Sequence, residues 1–598
     1  MTSFERLSLT DIAADVGAGR RPAGQVAREA LDRAARYDAV QPQVWICRLP
    51  EADVLGQASE VDRRVAAGEV LPLAGVPFAV KDNLDVAGLP TTAGCPAFAY
   101  VAAESAPVVE RLIRAGAVLI GKTNLDQFAT GLVGVRSPYG ACGSAYHRAY
   151  IAGGSSSGSA VAVAAGLVAF ALGSDTAGSG RVPAALNHLV GLKPTRGRWS
   201  TRGLVPACRS LDCVAVFTST AAEAAQVDEV VAGFDPDDPF SRRAPTPEAA
   251  LWPAGFRLGV ASRLDWLADN QSRGLYEAAV ARLQAMGGRV VEVDIAPLRA
   301  AAAMLYQGPW VAERTAAVET LLRDQPSAIQ PVVRGILEGG ASISAVQAFR
   351  AQYRLKALER EAEAIWRSVD VLVLPTAATT YRVREVLAEP LALNANLGLY
   401  TNFANLMDLA AVAVPAGFRD NATGFGVSLI APAWADRQLL DLARRYEEAQ
   451  PMPKAPPIDV DGVASRVKLA VVGAHLAGMP LHWQLTSRDA TLAQACRTAP
   501  VYKLYAMAHA SPPKPALVHV GAGGAAIEVE VYELGLEAFG SFVAEVPAPL
   551  AIGTVTLEDG AEVKGFVAEP RALEGAEDIT ALGGWRAYIA GKGQAPAG

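Results

Sequence analysis

The chain has 598 residues, 51% hydrophobic and 19% charged, which excludes a disordered protein and exceeds what one ordinary domain needs. Its net charge of -7 is spread without long runs of one sign, which excludes the clustered basic face of a nucleic-acid binder. The six cysteines, at 47, 95, 142, 208, 213 and 496, form no Cys-x-x-Cys pair and read as reduced thiols of a cytoplasmic protein. No metal-ligand spacing is apparent. Met1-Thr2-Ser3-Phe4-Glu5-Arg6 lacks a charged-then-apolar signal pattern, so a soluble protein is expected.

In chain order, 24–37 reads as a helix and Leu73–Val80 as a mostly apolar strand ending at Lys81. Residues 107–115 read as helical and Ala117–Ile120 as a short strand. The most apolar run, 158–173, carries Ser159 and is short for a membrane span; a core helix running into a strand is expected. Helical 275–286 precedes strand-like 289–295, and the charged helix 344–368 precedes Val371–Leu374. This alternation predicts an α/β domain, a mixed sheet flanked by helices on both faces. After the amphipathic pattern 436–449 come four prolines within 451–457, a linker signature. The expected division is a large domain at 1–450, a linker at 451–462 and a small domain at 463–598. Short strand patterns at Leu469–Gly473, Ala516–Val520, Ile527–Leu534 and Ala551–Leu557 make the small domain α+β or β-rich.

Two segments of small residues carry chemistry, Gly153-Gly154-Ser155-Ser156-Ser157-Gly158 and Asp175-Thr176-Ala177-Gly178-Ser179-Gly180-Arg181-Val182-Pro183. They place Ser155 and Ser179 24 residues apart, where a backbone can crowd a substrate. A serine hydroxyl needs a base within reach. The large domain offers only His147 and His188, neither in a Gly-rich elbow, and His188 reads as a core residue. Lys81 is the alternative base, since burial lowers a lysine's pKa and frees a neutral amine. Gly116-Ala117-Val118-Leu119-Ile120-Gly121-Lys122-Thr123 matches the phosphate-loop expression letter for letter. Its middle residues are apolar, however, and a helix pattern precedes it, so a buried strand is expected there instead of a nucleotide site.

In these residues the chain resembles the amidase signature family of Ser-Ser-Lys hydrolases. Further agreement lies in Gly191-Leu192-Lys193-Pro194-Thr195 and Asp370-Val371-Leu372-Val373-Leu374-Pro375-Thr376, and the likeness covers roughly 1–445. The resemblance implies that Ser179 is the nucleophile, Ser155 the bridging serine with a cis peptide bond, and Lys81 the base and later the acid. It implies an oxyanion hole from the N–H groups of Thr176, Ala177, Gly178 and Ser179. Asp175 and Arg181 would support that loop.

Thr176-Ala177 and Gly180 resemble the allophanate hydrolase branch, which implies a small substrate with a urea-like amide and a carboxylate. Read as one helix, 305–314 puts Tyr306 and Arg314 eight residues apart on one face. They resemble the branch's substrate clamp, an arginine for the carboxylate and a tyrosine for the other end. Backbone at Gly131 is expected to line the opposite wall. Val471-Val472-Gly473-Ala474-His475-Leu476-Ala477-Gly478-Met479-Pro480-Leu481 resembles the start of that branch's C-terminal domain, of γ-glutamylcyclotransferase-like fold. Its implied role is decarboxylation of N-carboxycarbamate, with His475 as proton donor ahead of His482; a structural or dimer-forming module is the other reading. The resemblance implies a homodimer, no cofactor and no metal, and a separate urea carboxylase if urea is the source. Biuret or ring cleavage is equally open as a source. Another small-amide amidase, or the glutaminase subunit of a tRNA-dependent amidotransferase, remains an alternative.

Overall fold

The apolar runs before residue 450 become the strands of one mixed sheet of eleven. The computed structural model describes Ser3–Lys592 apart from residues 247–248, 450–454, 457, 460–465, 489 and 509. In chain order the strands are β1 (Trp45–Arg48), β2 (Pro77–Lys81), β3 (Val118–Thr123), β4 (Phe170–Asp175), β5 (Val190–Lys193) and β6 (Cys213–Thr218). They continue as β7 (Phe256–Ala261), β8 (Gly288–Val293), β9 (Val371–Pro375), β10 (Leu409–Phe418) and β11 (Gly424–Pro432). Across the sheet the order is β8-β7-β9-β11-β10-β5-β6-β4-β2-β3-β1. The helices that bear on the site are α1 (Pro107–Arg114), α2 (Ser157–Ala164), α3 (Arg181–Leu186), α4 (Ala296–Gln307), α5 (Trp310–Asp324), α6 (Ala345–Ser368) and α7 (Phe403–Leu406).

β2 and β4 are buried along their whole length, as near-continuous apolar strands inside a covered sheet must be. They run parallel, with Val80 opposite Leu172. Their C-terminal ends therefore bring Lys81 beside Ser174 and Asp175, and α2 and α3 supply the turns that carry Ser155 and Ser179. The run 158–173 divides into α2 and the start of β4. The segment that mimics a phosphate loop, 116–123, is the last two residues of the connection after α1 and then β3. There Lys122 is buried and pairs with Asp82 at 2.7 Å, with Nζ donating to Pro90 O and Thr91 Oγ1.

Residues 305–314 are not one helix. α4 stops at Gln307, Gly308 is extended (φ -117°, ψ -169°), and Pro309 precedes α5. Pro309 has no N–H to continue the ladder, and its ring would meet the carbonyl of Leu305.

The described residues divide into two compact units between Ile458 and Asp459. The linker expected at 451–462 lies for the most part outside the described residues. In the second unit a five-stranded sheet runs in the order Thr491–Arg497, Glu528–Gly535, Arg466–Val471, Glu562–Ala568, Leu550–Thr556. It has its own core, in which Leu469, Val531, Phe542 and Trp585 are buried. Among the described residues no helix is long and apolar enough to cross a membrane.

Candidate active site

Lys81 ends β2 with its side chain fully buried. Nζ lies 2.7 Å from Ser155 Oγ and 2.8 Å from Ser174 Oγ, which also accepts from Asn83 Nδ2 at 3.1 Å. Burial drives the lysine down to a pKa of about 7, against the pull of the Asp126, Asp212 and Asp175 carboxylates in the other direction. A substantial fraction is thus neutral amine at neutral pH, able to accept a proton from Ser155 as well as donate one. The Gly154–Ser155 peptide is cis.

The turn from β4 to α3 is built on Asp175. Its carboxylate takes two parallel bonds from Arg181, Nε to Oδ2 and Nη2 to Oδ1, each 2.9 Å, and both side chains are buried. The N–H groups of Gly178 (2.9 Å), Gly180 (3.1 Å) and Arg181 (3.3 Å) donate to the same carboxylate. Burial alone would raise its pKa; the Arg181 charge and these bonds outweigh it and hold the group below the usual range. Asn405 of α7 donates to Asp175 O at 2.6 Å. This geometry corrects one expectation: the Gly178 N–H is committed to Asp175 and is not presented to a substrate. The N–H groups of Thr176, Ala177 and Ser179 have no acceptor among the described residues.

Ser179 Oγ donates to Gly131 O at 3.4 Å, and no hydrogen bond joins it to Ser155 among the described residues. Gly131 therefore faces the turn that carries Ser179. Its loop is shaped by Asp126, whose carboxylate accepts from Val133 N, Gly134 N and Arg136 N at 2.8–3.1 Å. A Cβ on Gly131 would sit 2.5 Å from Asp126 Oδ2, so only glycine fits.

Although the helix is broken between them, Tyr306 and Arg314 still meet, with the guanidinium carbon 5.1 Å from the ring centroid. Arg314 is 2% exposed. Its Nη1 reaches Thr130 Oγ1 (3.2 Å) and Ala129 O (3.4 Å), the residues just before Gly131. Its Nε and Nη2, and the Tyr306 hydroxyl, are buried without a hydrogen-bond partner among the described residues. A buried guanidinium with open donors and no paired carboxylate is costly unless an anion completes it.

Residues 26–440 match the family model described as amidase. The chain belongs to the amidase family. Residues 467–590 of this amidase match the model of the allophanate hydrolase C-terminal domain. It is 43% identical over 572 residues to the urea amidolyase of Saccharomyces cerevisiae, covering 91% of this chain and 31% of that protein. The chain thus spans about a third of the length of that relative. The solved allophanate hydrolase of Kluyveromyces lactis is 40% identical, with a TM-score of 0.71 over 98% of this chain and 99% of that one. A glutamyl-tRNA(Gln) amidotransferase subunit of Prochlorococcus marinus is 38% identical over 458 residues, 71% of this chain and 94% of that one.

In the second unit of the amidase, His475 Nε2 lies 2.7 Å from Gln484 Oε1, and its ring stacks on Phe566 at 5.0 Å. With Gln484, Lys514, Phe542, Glu545 and Phe566 it lines a cavity of about 140 Å³. Burial lowers its pKa, which disfavours the charged imidazolium expected to donate a proton. His482 instead contacts Tyr532 Oη at 3.0 Å. In the first unit the His188 ring stacks on Phe418 at 4.3 Å, and His147 Nδ1 lies 2.9 Å from Asn421 O.

Sequence reasoning missed Ser174, Asn83, Asp126, Thr130, Asp212 and Asn405. Ser174 carried a usable signal, because a polar residue at the buried end of an apolar strand needs a partner. The others act through contacts that only the fold creates.

Proposed function

We propose that this amidase hydrolyses allophanate, the N-carboxylated form of urea, to ammonia and carbon dioxide through an acyl-enzyme on Ser179. The observation that carries the reading is Arg314, buried over the Tyr306 ring with Nε and Nη2 open and held by Thr130, the neighbour of the Gly131 whose carbonyl accepts from Ser179. A carboxylate satisfies a guanidinium fork with two parallel bonds, which a simple amide cannot do.

Ser179 turns from Gly131 O toward Ser155 and gives up its proton, Ser155 passing one to neutral Lys81. Ser179 Oγ bonds to the terminal amide carbon, and the N–H groups of Thr176, Ala177 and Ser179 meet the oxyanion. The C–N bond breaks, Lys81 returns its proton through Ser155, and ammonia leaves. Water, deprotonated by the same lysine, then cleaves the ester to give N-carboxycarbamate. This species loses carbon dioxide to carbamate, which breaks down to ammonia and carbon dioxide. A part for the C-terminal domain in decarboxylation rests on its family resemblance and on the cavity at His475. The same resemblance supports a cytoplasmic homodimer, testable by sedimentation, fed by a separate urea carboxylase. The C-terminal domain match weighs against the amidotransferase alternative.

Ammonia release from allophanate, biuret, malonamate and acetamide tests the substrate. The expected kcat/KM for allophanate exceeds that for acetamide by about 100-fold or more, the scale set by leaving a buried charged site unpaired. Turnover of acetamide with allophanate ignored would sink the reading. The pH profile tests the base. A lysine depressed to about 7 is protonated and inactive as a base below that value. kcat/KM is therefore expected to rise tenfold per pH unit up to about 7 and level off above it. A profile that falls as pH rises through 7 would reject neutral Lys81.

A further inference from the structure

The loop 207–212 touches both halves of the site. On one side Asp212 Oδ1 accepts the Thr176 hydroxyl and the Cys208 N–H (3.2 Å), and Oδ2 accepts the Ala207 N–H at 2.9 Å. Thr176 is the first residue after β4 and opens the turn that carries Ser179. On the other side the loop holds the first turn of α5. The Ser210 N–H and hydroxyl donate to the two Glu313 carboxylate oxygens at 2.7 and 2.8 Å, and Cys208 Sγ lies 3.3 Å from Trp310 O. Glu313 immediately precedes Arg314. Asn405 adds a cross-tie, its Nδ2 donating to Asp175 O at 2.6 Å and to Leu211 O at 3.0 Å. Asp212 is 5% exposed and makes no hydrogen bond to Lys81, Ser155 or Ser179 among the described residues. A carboxylate buried that deeply is retained only where its oxygens are satisfied, and here every donor comes from the loop itself or from the nucleophile turn.

We propose that Asp212 is a positioning residue that ties the turn carrying Ser179 to the helix carrying Arg314, and so sets the separation between the point of attack and the carboxylate clamp. This rests on the allophanate reading. In allophanate a single nitrogen separates the amide carbon from the carboxylate carbon, so the substrate has no slack. A fixed separation favours that substrate over longer acidic amides, and a small misplacement is costly to the chemical step.

Thr176→Val removes the hydroxyl at nearly constant volume, whereas Thr176→Ser keeps it, so this pair carries the test even if Asp212→Asn perturbs folding. On allophanate, Thr176→Val is expected to lower kcat by about 10- to 100-fold, the scale of losing one hydrogen bond to a charged group. Thr176→Ser should stay within about threefold of the parent, as the same bond is kept. The Thr176→Val/Asp212→Asn double variant should be no worse than its more impaired single. Ser210→Ala, which loosens α5 and leaves Asp212 in place, should raise KM for allophanate several-fold more than for acetamide. Additive losses in the double variant, parental kcat in Thr176→Val, or equal damage from Val and Ser would each overturn the proposal. If the purified chain ignores allophanate, the substrate reading fails on its own. The Thr176 and Asp212 cycle is then read on whichever amide it hydrolyses.

Discussion

Lys81→Met is expected to lower kcat/KM for every amide substrate by about 10³- to 10⁴-fold, the scale of losing a general base from a serine nucleophile. Methionine keeps the length and the apolar stem but cannot take the proton that Ser155 must pass on. Ser155 and Ser174 would then lose the amine that joins them. The variant should melt no lower than the parent, because it removes a buried amine whose charged form burial disfavours. Its residual activity should also lose the acid limb near pH 7, since nothing else in the relay titrates there. Ammonia release across pH 5.5 to 9, beside a thermal melt, reads both effects. A loss under tenfold, or a surviving limb, would move the base elsewhere.

The second large effect is at the clamp. Arg314→Ala is expected to raise KM for allophanate by about 100- to 1,000-fold and to alter acetamide turnover far less, since only the former carries a carboxylate to leave unpaired. Arg314→Lys should recover little of that loss. An ammonium is a point charge that cannot present Nε and Nη2 together, the two donors that stand open above Tyr306. Equal damage to both substrates would mean that Arg314 only holds up the 129–131 loop through its bonds to Ala129 and Thr130.

Much of this site was legible before any fold was known, for a physical reason. The proposed proton relay needs a lysine at the end of an apolar strand and two serines in runs of small residues. Each of those is a local pattern, and Lys81 and Ser155 do meet at 2.7 Å. The break between α4 and α5 was legible too, since Gly308-Pro309 is a breaker pair; the eight-residue spacing of Tyr306 and Arg314 hid it. Their contact survives because the two helices pack together, which no single-helix periodicity describes. Other features depended on tertiary placement. Asp126 gains its meaning only when the chain returns at 133–136 to surround its carboxylate. Asp212 needs Thr176, 36 residues away, and the direction of the Gly178 N–H is set by Asp175 accepting from Gly180 and Arg181 as well.

The central claim is that Ser179 opens the amide of a small carboxylated urea. Its most direct test is ammonia release from allophanate by the purified chain and by Ser179→Ala, assayed together at pH 8. Rapid release that falls to background in the variant is the predicted result. Undiminished release from Ser179→Ala, or none from the parent chain, would contradict it.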